Sequence, residues 1–198
     1  VNNGFMMFTH FEFENYFNIG FDGGYFTRTI SSSLTRGGPK AERPSEYFFV
    51  IDGFTDSRKK YMILYEFEVE KDELGGFERS LLLDFQWRPM TQMEFTIGPE
   101  YSNNNRKLQW VTDVEDERAT STYGGRYVFG EMEQQTIAAN IRLNWTFTPK
   151  LSLQLFLQPL ISVGNYNNFK ELAQTRSLDY NFYGEGSSSI NYNTETDE

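Results

Sequence analysis

Several residue types on which common active sites depend are missing or almost missing from this chain of 198 residues. It contains no cysteine, which excludes disulfides, cysteine-ligated zinc and a cysteine nucleophile. Its single histidine, His10, excludes a multi-histidine metal site, and a Ser-His-Asp triad would have to use that residue. We therefore predict no catalytic residue, no metal site and no cofactor; an enzymatic role stays open but is not favoured.

Long apolar runs and an excess of basic charge are also missing. No run approaches the roughly 18 apolar residues that a membrane-spanning helix needs. The 18 Lys and Arg residues face 28 Asp and Glu residues, which gives a net charge of −10. Nucleic-acid binders need a basic face to displace counterions from phosphates, so this class is excluded. Membrane strands are not excluded, because they are apolar only at alternate positions.

Alternation of apolar and polar side chains is the dominant pattern in the sequence. Apolar residues occupy every second position from Ile137 to Phe147, and mostly polar residues lie between them. A strand sends successive side chains to opposite faces, so this pattern predicts a strand with one apolar and one polar face. Aromatic residues, which favour strands, make up 17 % of the chain.

The repeated pattern predicts about eight antiparallel strands of roughly 9–13 residues, whereas strands of globular proteins have about 5–6 residues. A tilted strand that crosses a bilayer needs about 9–11. Short turns are predicted near Glu14, Asp56, Pro89 and Pro149. Long connections are predicted at 31–44, 70–76, 113–125 and after Val163. Because outer-membrane barrels have short turns at one end and long loops at the other, we predict an all-β antiparallel transmembrane β-barrel, of which this chain forms a part.

The polar face of the predicted strands carries charged side chains that would line a wet lumen. Aromatic residues such as Trp87 and Trp145 lie next to the short turns, where an interfacial girdle belongs. A soluble antiparallel sheet or a lipocalin-like barrel shares the alternation and stays open as an alternative. The polar residues predicted to face the lumen are Glu12, Asp22, Glu66, Glu68, Asp84, Arg88, Glu94 and Arg142.

Four local strings carry a resemblance to a known family: 35–39 with 42–44, 109–111 with 119–129, 142–149 with 151–154, and 169–173 with Arg176, Ser177 and Asp179. Together they resemble an uncharacterised outer-membrane β-barrel family of Gram-negative bacteria, in which the barrel commonly follows a periplasmic carbohydrate-binding module of the family-9 type. The resemblance implies further strands before and after this chain, which would then be an interior segment. It assigns residues 1–185 to the barrel and 186–198 to a polar loop or tail, and it supplies no catalytic residues.

One long loop contains a string that could fold into the lumen as a constriction or could be a plain structured loop: Arg36, Gly37, Gly38 and Pro39. Elsewhere, His10 is interpreted as a hydrogen-bonding wall residue rather than a proton-transfer group. The acidic cluster at 113–117 lacks the glycine and regular spacing of a calcium loop, so we interpret it as a solvated acidic loop.

The function predicted from these patterns is that of a bacterial outer-membrane barrel with an acidic lumen, acting in transport, ligand docking or surface scaffolding. A barrel enzyme that acts on glycans or lipids and a soluble carbohydrate-binding β-sheet protein stay as alternatives. The expected partners are outer-membrane lipid and, as further candidates, a glycan or other outer-membrane proteins, with no nucleic acid. We expect the apolar face to point away from the barrel axis, and the first and last strands not to pair with each other.

Overall fold

The structure, a computed structural model, describes residues 3–185 and consists almost entirely of strands. The polar tail predicted at 186–198 lies outside the described residues. One 3-10 turn, Thr120–Thr122, lies in the connection between residues 115 and 125. The strands are β1 (Gly4–Glu12), β2 (Asn18–Phe26), β3 (Thr29–Ser31), β4 (Ala41–Arg43), β5 (Glu46–Phe54), β6 (Tyr61–Asp72), β7 (Phe77–Met90), β8 (Met93–Glu115), β9 (Gly125–Thr148), β10 (Leu151–Leu157), β11 (Leu160–Leu172) and β12 (Tyr180–Phe182).

Ten of these strands form one antiparallel sheet with the order β1-β2-β5-β6-β7-β8-β9-β11-β12, with β10 also pairing with β9. The predicted all-β antiparallel fold is confirmed. Among residues 3–185, β1 pairs with β2 alone, and no ladder connects it to β10, β11 or β12, so the described strands do not close into a barrel. Strands β3 and β4 form a separate two-stranded sheet.

Strand β9 has two partners on the same edge of the sheet. Its second half, residues 141–148, pairs with β10, and its first half, residues 128–138, pairs with β11. The break between β10 and β11 falls at Gln158 and Pro159, where proline cannot donate to a ladder. The Pro159 carbonyl still accepts a hydrogen bond of 3.0 Å from the amide of Ala139. Strands β10 and β11 are therefore one interrupted strand, and the hairpin predicted over 127–162 is confirmed.

The four predicted short turns are confirmed, but the opposite ends of the strands differ from prediction. The connection expected at 70–76 is a tight turn, because β6 reaches Asp72 and β7 begins at Phe77. Asp72 accepts hydrogen bonds from the amides of Leu74 and Gly76, and Gly75 supplies a φ of 85°. Strand β8 extends to Glu115 and β11 extends to Leu172. Pairing with β9 provides hydrogen-bond partners for the backbone N–H and C=O groups of these polar segments.

The two faces of the sheet differ in composition and in exposure. On β7, Leu81, Leu83 and Phe85 are exposed, whereas Leu82 and Asp84 between them are only partly exposed. Side chains crowd on the concave side of a curved sheet, so the polar face is concave and the apolar face convex. One convex cross-strand row consists of Phe21, Ile51, Phe67, Leu81, Tyr101, Ile137 and Ile161.

The segment between β2 and β5, residues 27–45, reaches across the strand ends and is called the crossing segment. Its residue Ala41 packs with Phe129 of β9 and Leu172 of β11 in the best-buried apolar cluster of residues 3–185. The amide of Arg176 donates to the carbonyl of Lys40 at 2.7 Å. Strands β6, β7 and β8 lie between β5 and β9 in the sheet, so these contacts require strong curvature of the strand ends.

Candidate functional site

The concave face carries all of the residues predicted to face a lumen. Cross-strand pairing places Asp52 opposite Glu66, and Glu70 opposite Glu78, so carboxylates lie next to one another on β5, β6 and β7. This face is therefore strongly acidic. The predicted residues lie on the following strands: Glu12 on β1, Asp22 on β2, Glu66 and Glu68 on β6, Asp84 and Arg88 on β7, Glu94 on β8 and Arg142 on β9.

The arginines of this face do not all neutralise its acids. The Arg88 guanidinium donates to the backbone carbonyls of Ser57 and Lys59 in the β5–β6 turn. Arg142 lies with its Cζ 5.4 Å from the ring centre of Phe156. Among the described residues, Arg106 does pair with an acid of this face, with 3.4 Å between its Nη2 and Glu78 Oε2. The acids therefore keep an excess of negative charge on the concave face.

A cavity of about 470 Å³ lies between the crossing segment and the ends of β5–β8. Its wall carries both signs of charge and includes Trp110. The acidic members are Glu46, Glu70, Asp72 and Glu78, and the basic members are Arg36, Arg43, Lys71, Arg106 and Lys107. The Arg36 guanidinium lies 4.7 Å from the centre of the Trp110 ring, a cation–π arrangement. The cavity combines carboxylates, a guanidinium and an indole, which together suit a small polar ligand.

The string containing Arg36 forms a tight turn that docks on the β8–β9 hairpin. The Thr35 hydroxyl donates to the Pro39 carbonyl at 2.7 Å, and Gly37 has a φ of 111° that favours glycine. Gly38 lies directly against the ring of Tyr127, where a Cβ would overlap the aromatic carbons. The glycines and Pro39 thus hold the turn in place, and Arg36 contributes the side chain that borders the cavity.

One acid of the cluster predicted at 113–117, Asp116, forms ion pairs with two arginines. Asp116 accepts hydrogen bonds from Arg118 at 3.0 Å and from Arg126 at 2.7 Å, which lower the pKa of its carboxyl well below the usual range. Arg126 also donates to both oxygens of Glu171 on β11 at 3.0 Å. The Asp116 carboxylate serves in ion pairs that hold the loop, so this residue differs from the solvated acid that the sequence predicted.

A cluster on β1, β2 and β5 was missed from sequence. His10 Nε2 lies 3.6 Å from Asp52 Oδ1, and a ligand atom from each of His10, Asp22 and Asp52 falls within 4.8 Å of the others. The register of the β1–β2 hairpin brings His10 opposite Gly20, and Gly20 opposite Asp52. The sequence did contain a signal for this cluster. Once the hairpin turn is placed near Glu14, strand pairing puts Gly20 between the polar residues His10 and Asp52.

The fold and its concave face define a class: an antiparallel sheet protein with an exposed apolar face and an acidic opposite face. The chain belongs to the family described as Domain of unknown function (DUF5916), which matches residues 2–196. No curated protein and no solved structure matches the chain. The resemblance to an uncharacterised family is thereby confirmed. Within the part of the chain that the structure describes, no helix is long and apolar enough to cross a membrane.

Proposed function

We propose that this chain is part of an outer-membrane β-barrel whose acidic lumen admits or docks small cationic or polar solutes. The observation that carries the proposal is the exposure of the apolar face. A soluble sheet packs its apolar face against another layer, whereas here it is the convex, exposed face. A bilayer supplies the missing apolar contact.

The extent of the apolar surface matches a bilayer. On the convex face, apolar side chains run from Met93 to Tyr101 on β8 and from Ile137 to Trp145 on β9. Strands that cross a membrane at a tilt need about 9–11 residues. Beyond this belt, the next convex row is mixed, because polar Arg79, Asn103 and Gln135 on β7, β8 and β9 alternate with apolar residues on the outer strands. Such a row suits the level of an interface rather than the hydrocarbon core. The apolar members are Phe49, Val69 and Val163. The long ends of β8 and β9 then project outside the membrane.

The cavity under the crossing segment supports the docking part of the proposal. Carboxylates of β5, β6 and β7 line it together with basic side chains of the crossing segment, β6 and β8, so both signs of charge meet where a solute would bind. A lining with both signs of charge suits a polar solute that itself carries both, whereas the excess of acids along the rest of the concave face favours cations. Arg36 and Trp110 border the same space and would orient a ligand that carries both a charge and an apolar surface.

The decisive experiment compares arginine at two neighbouring positions of β7 in the full-length protein. Leu83 lies on the convex belt opposite Tyr65, while Leu82 lies on the concave face between Glu66 and Glu100. We expect Leu83→Arg to prevent stable membrane assembly, because arginine near the midplane of the lipid face costs about 2–4 kcal/mol. We expect Leu82→Arg to assemble normally, because its guanidinium gains two carboxylate neighbours.

The measurements are the amount of protein that stays with membranes after an alkaline wash and its extraction by detergent. Wild type and Leu82→Arg should require detergent, whereas Leu83→Arg should be degraded or absent from the membrane fraction. Wild-type protein that is released without detergent would support a soluble β-sheet protein instead. If Leu83→Arg stayed in the membrane fraction and Leu82→Arg were lost from it, the polar face would be the one packed against apolar material. That result would reject the proposal.

A further inference from the structure

We propose that His10, Asp22 and Asp52 form a binding site for a divalent transition-metal cation on the concave face. The site is separate from the cavity under the crossing segment and does not depend on the membrane position of the chain. Its three donors come from three neighbouring strands, β1, β2 and β5, so the sheet itself fixes their spacing. One imidazole and two carboxylates carry two negative charges when histidine is neutral, which balances a divalent ion.

The distances between the donors suit a metal after small side-chain rotations. His10 Nε2 and Asp52 Oδ1 are 3.6 Å apart, and all three donor atoms lie within 4.8 Å of one another. Ligand atoms at about 2.0–2.2 Å from a common metal are about 3–4 Å apart. The set therefore has to contract by about 1 Å on binding, a change of the size that side-chain torsions supply.

Because Gly20 has no side chain, it leaves the space in which the three donor side chains meet. It lies between His10 and Asp52 in the cross-strand row. A Cβ at this position would overlap both the Asp52 carboxylate and the His10 imidazole. Any other residue at position 20 would push the two donors apart, so the glycine provides the space that a shared ligand needs.

Asp22 supplies an independent sign that a partner is missing. Its Oδ1 is shielded from solvent and accepts no hydrogen bond from the described residues. A shielded carboxylate oxygen without a partner is unfavourable, because it loses hydration without gaining a bond. A cation held between Asp22, Asp52 and His10 would satisfy this oxygen.

The donor set favours transition metals over calcium. Calcium takes six to eight oxygen ligands and does not use imidazole, whereas zinc accepts mixed histidine and carboxylate ligands. His10 is the accessible side of the site, with 58 % of its side chain exposed, so an ion can enter from the concave face. Water would complete the coordination on that side.

The test uses the full-length protein without a histidine tag, purified in detergent and stripped of metal by a chelator. Zinc binding is measured by competition with a zinc-binding dye for wild type, His10→Gln, Asp22→Asn, Asp52→Asn and Gly20→Ala. Asp84→Asn, an acid of the same face away from the cluster, is the matched control. We expect each site variant to weaken zinc binding about tenfold or more, and the control to stay within about twofold.

X-ray absorption at the zinc edge gives a second readout on wild-type protein. It should show imidazole scattering together with oxygen ligands at about 2.0–2.2 Å. A spectrum with oxygen ligands alone would overturn the proposal even if a variant failed to fold. Site variants that bind zinc as wild type does, or a control that is weakened equally, would also overturn it. Calcium that displaces zinc at equal concentration would reject the assignment to transition metals.

Discussion

Arg28 and Glu73 form an ion pair with two parallel hydrogen bonds, in which Nε and Nη2 of the arginine donate to the two carboxylate oxygens at 2.7 Å each. The amide of Ser45 donates to the same carboxylate at 2.8 Å. Glu73 thus holds both ends of the crossing segment against the β6–β7 turn. These donors, Arg28 first, lower the pKa of the Glu73 carboxyl to about 2.

Glu73→Gln should loosen the crossing segment. Because the folded pKa of Glu73 is lowered, its contribution to stability is complete above the ordinary pKa of 4.5 and is lost as the pH falls toward about 2. Hydrogen exchange of residues 27–45, corrected for the intrinsic rate, should therefore speed up in wild type below pH 4. The Glu73→Gln variant should exchange fast at both pH 6.5 and pH 3.

Glu117→Gln, in the β8–β9 connection, is the control for this experiment and should behave as wild type. Protection of residues 27–45 that is unchanged in Glu73→Gln at pH 6.5 would show that the ion pair does not hold the segment.

Phe129→Ala should destabilise the region where the crossing segment docks. The Phe129 side chain is fully buried and meets the Tyr180 ring edge-on at 5.5 Å between ring centres. Removal of a buried phenylalanine ring costs about 3–5 kcal/mol. Hydrogen exchange of segments 27–45 and 170–182 should rise accordingly. Tyr123→Ala, at a side chain that is 81 % exposed, should change stability by less than about 0.5 kcal/mol; equal effects would contradict the packing described.

An open pore formed by the full-length protein should prefer cations. The concave acids outnumber the concave arginines, and Arg88 is occupied by backbone carbonyls of the β5–β6 turn. Planar-bilayer recordings in a salt gradient should give a reversal potential of cation-selective sign. The double change Glu66→Gln and Glu68→Gln should reduce that potential, whereas Glu117→Gln should not. An anion preference, or no conductance, would reject the open cation-selective pore.

The two ends of the strands should face different compartments. In outer-membrane barrels the short turns lie in the periplasm and the long loops outside the cell. These 198 residues contain no cysteine, so in a full-length protein from which any other cysteine has been removed, single cysteines can be placed at Ser57 in a short turn and at Tyr123 in a long connection. In intact cells, a membrane-impermeant maleimide should label Tyr123→Cys and not Ser57→Cys. Both should react after permeabilisation, and the reverse labelling pattern would contradict the proposed orientation.

The strands around the short turns could be predicted because their alternation is regular and their turns carry specific residues. From Ile137 to Phe147 each apolar residue is followed by a smaller or polar one, and Pro149 marks the reversal. The same alternation separated the convex from the concave residues. The eight charged residues predicted to share one face therefore all lie on the concave face. Local sequence is sufficient here because strand pairing and face assignment follow the same period of two.

The parts of β8, β9 and β11 that lie farthest from the short turns could not be predicted in this way. The run Asn103 to Asn105 has little tendency to form strands, and bulges in β8 after Arg106 and after Trp110 shift the alternation. These segments are strands because their partners complete the hydrogen bonds of the backbone. The His10 cluster was missed for a related reason: it depends on the registers of two strand pairs and on the space at Gly20.

The order of strands in the sheet has a consequence for how the chain folds. Strands β10 and β11 both pair with β9. Apart from them and the step from β2 to β5, every described strand of the sheet pairs with the next one along the chain, so each hairpin can close locally and add to the growing edge. The crossing segment is the exception, because its contacts with β9 and β11 exist only after those later strands are in place. Its docking is therefore a late event, and changes at Ala41 or Phe129 should accelerate unfolding far more than they slow folding.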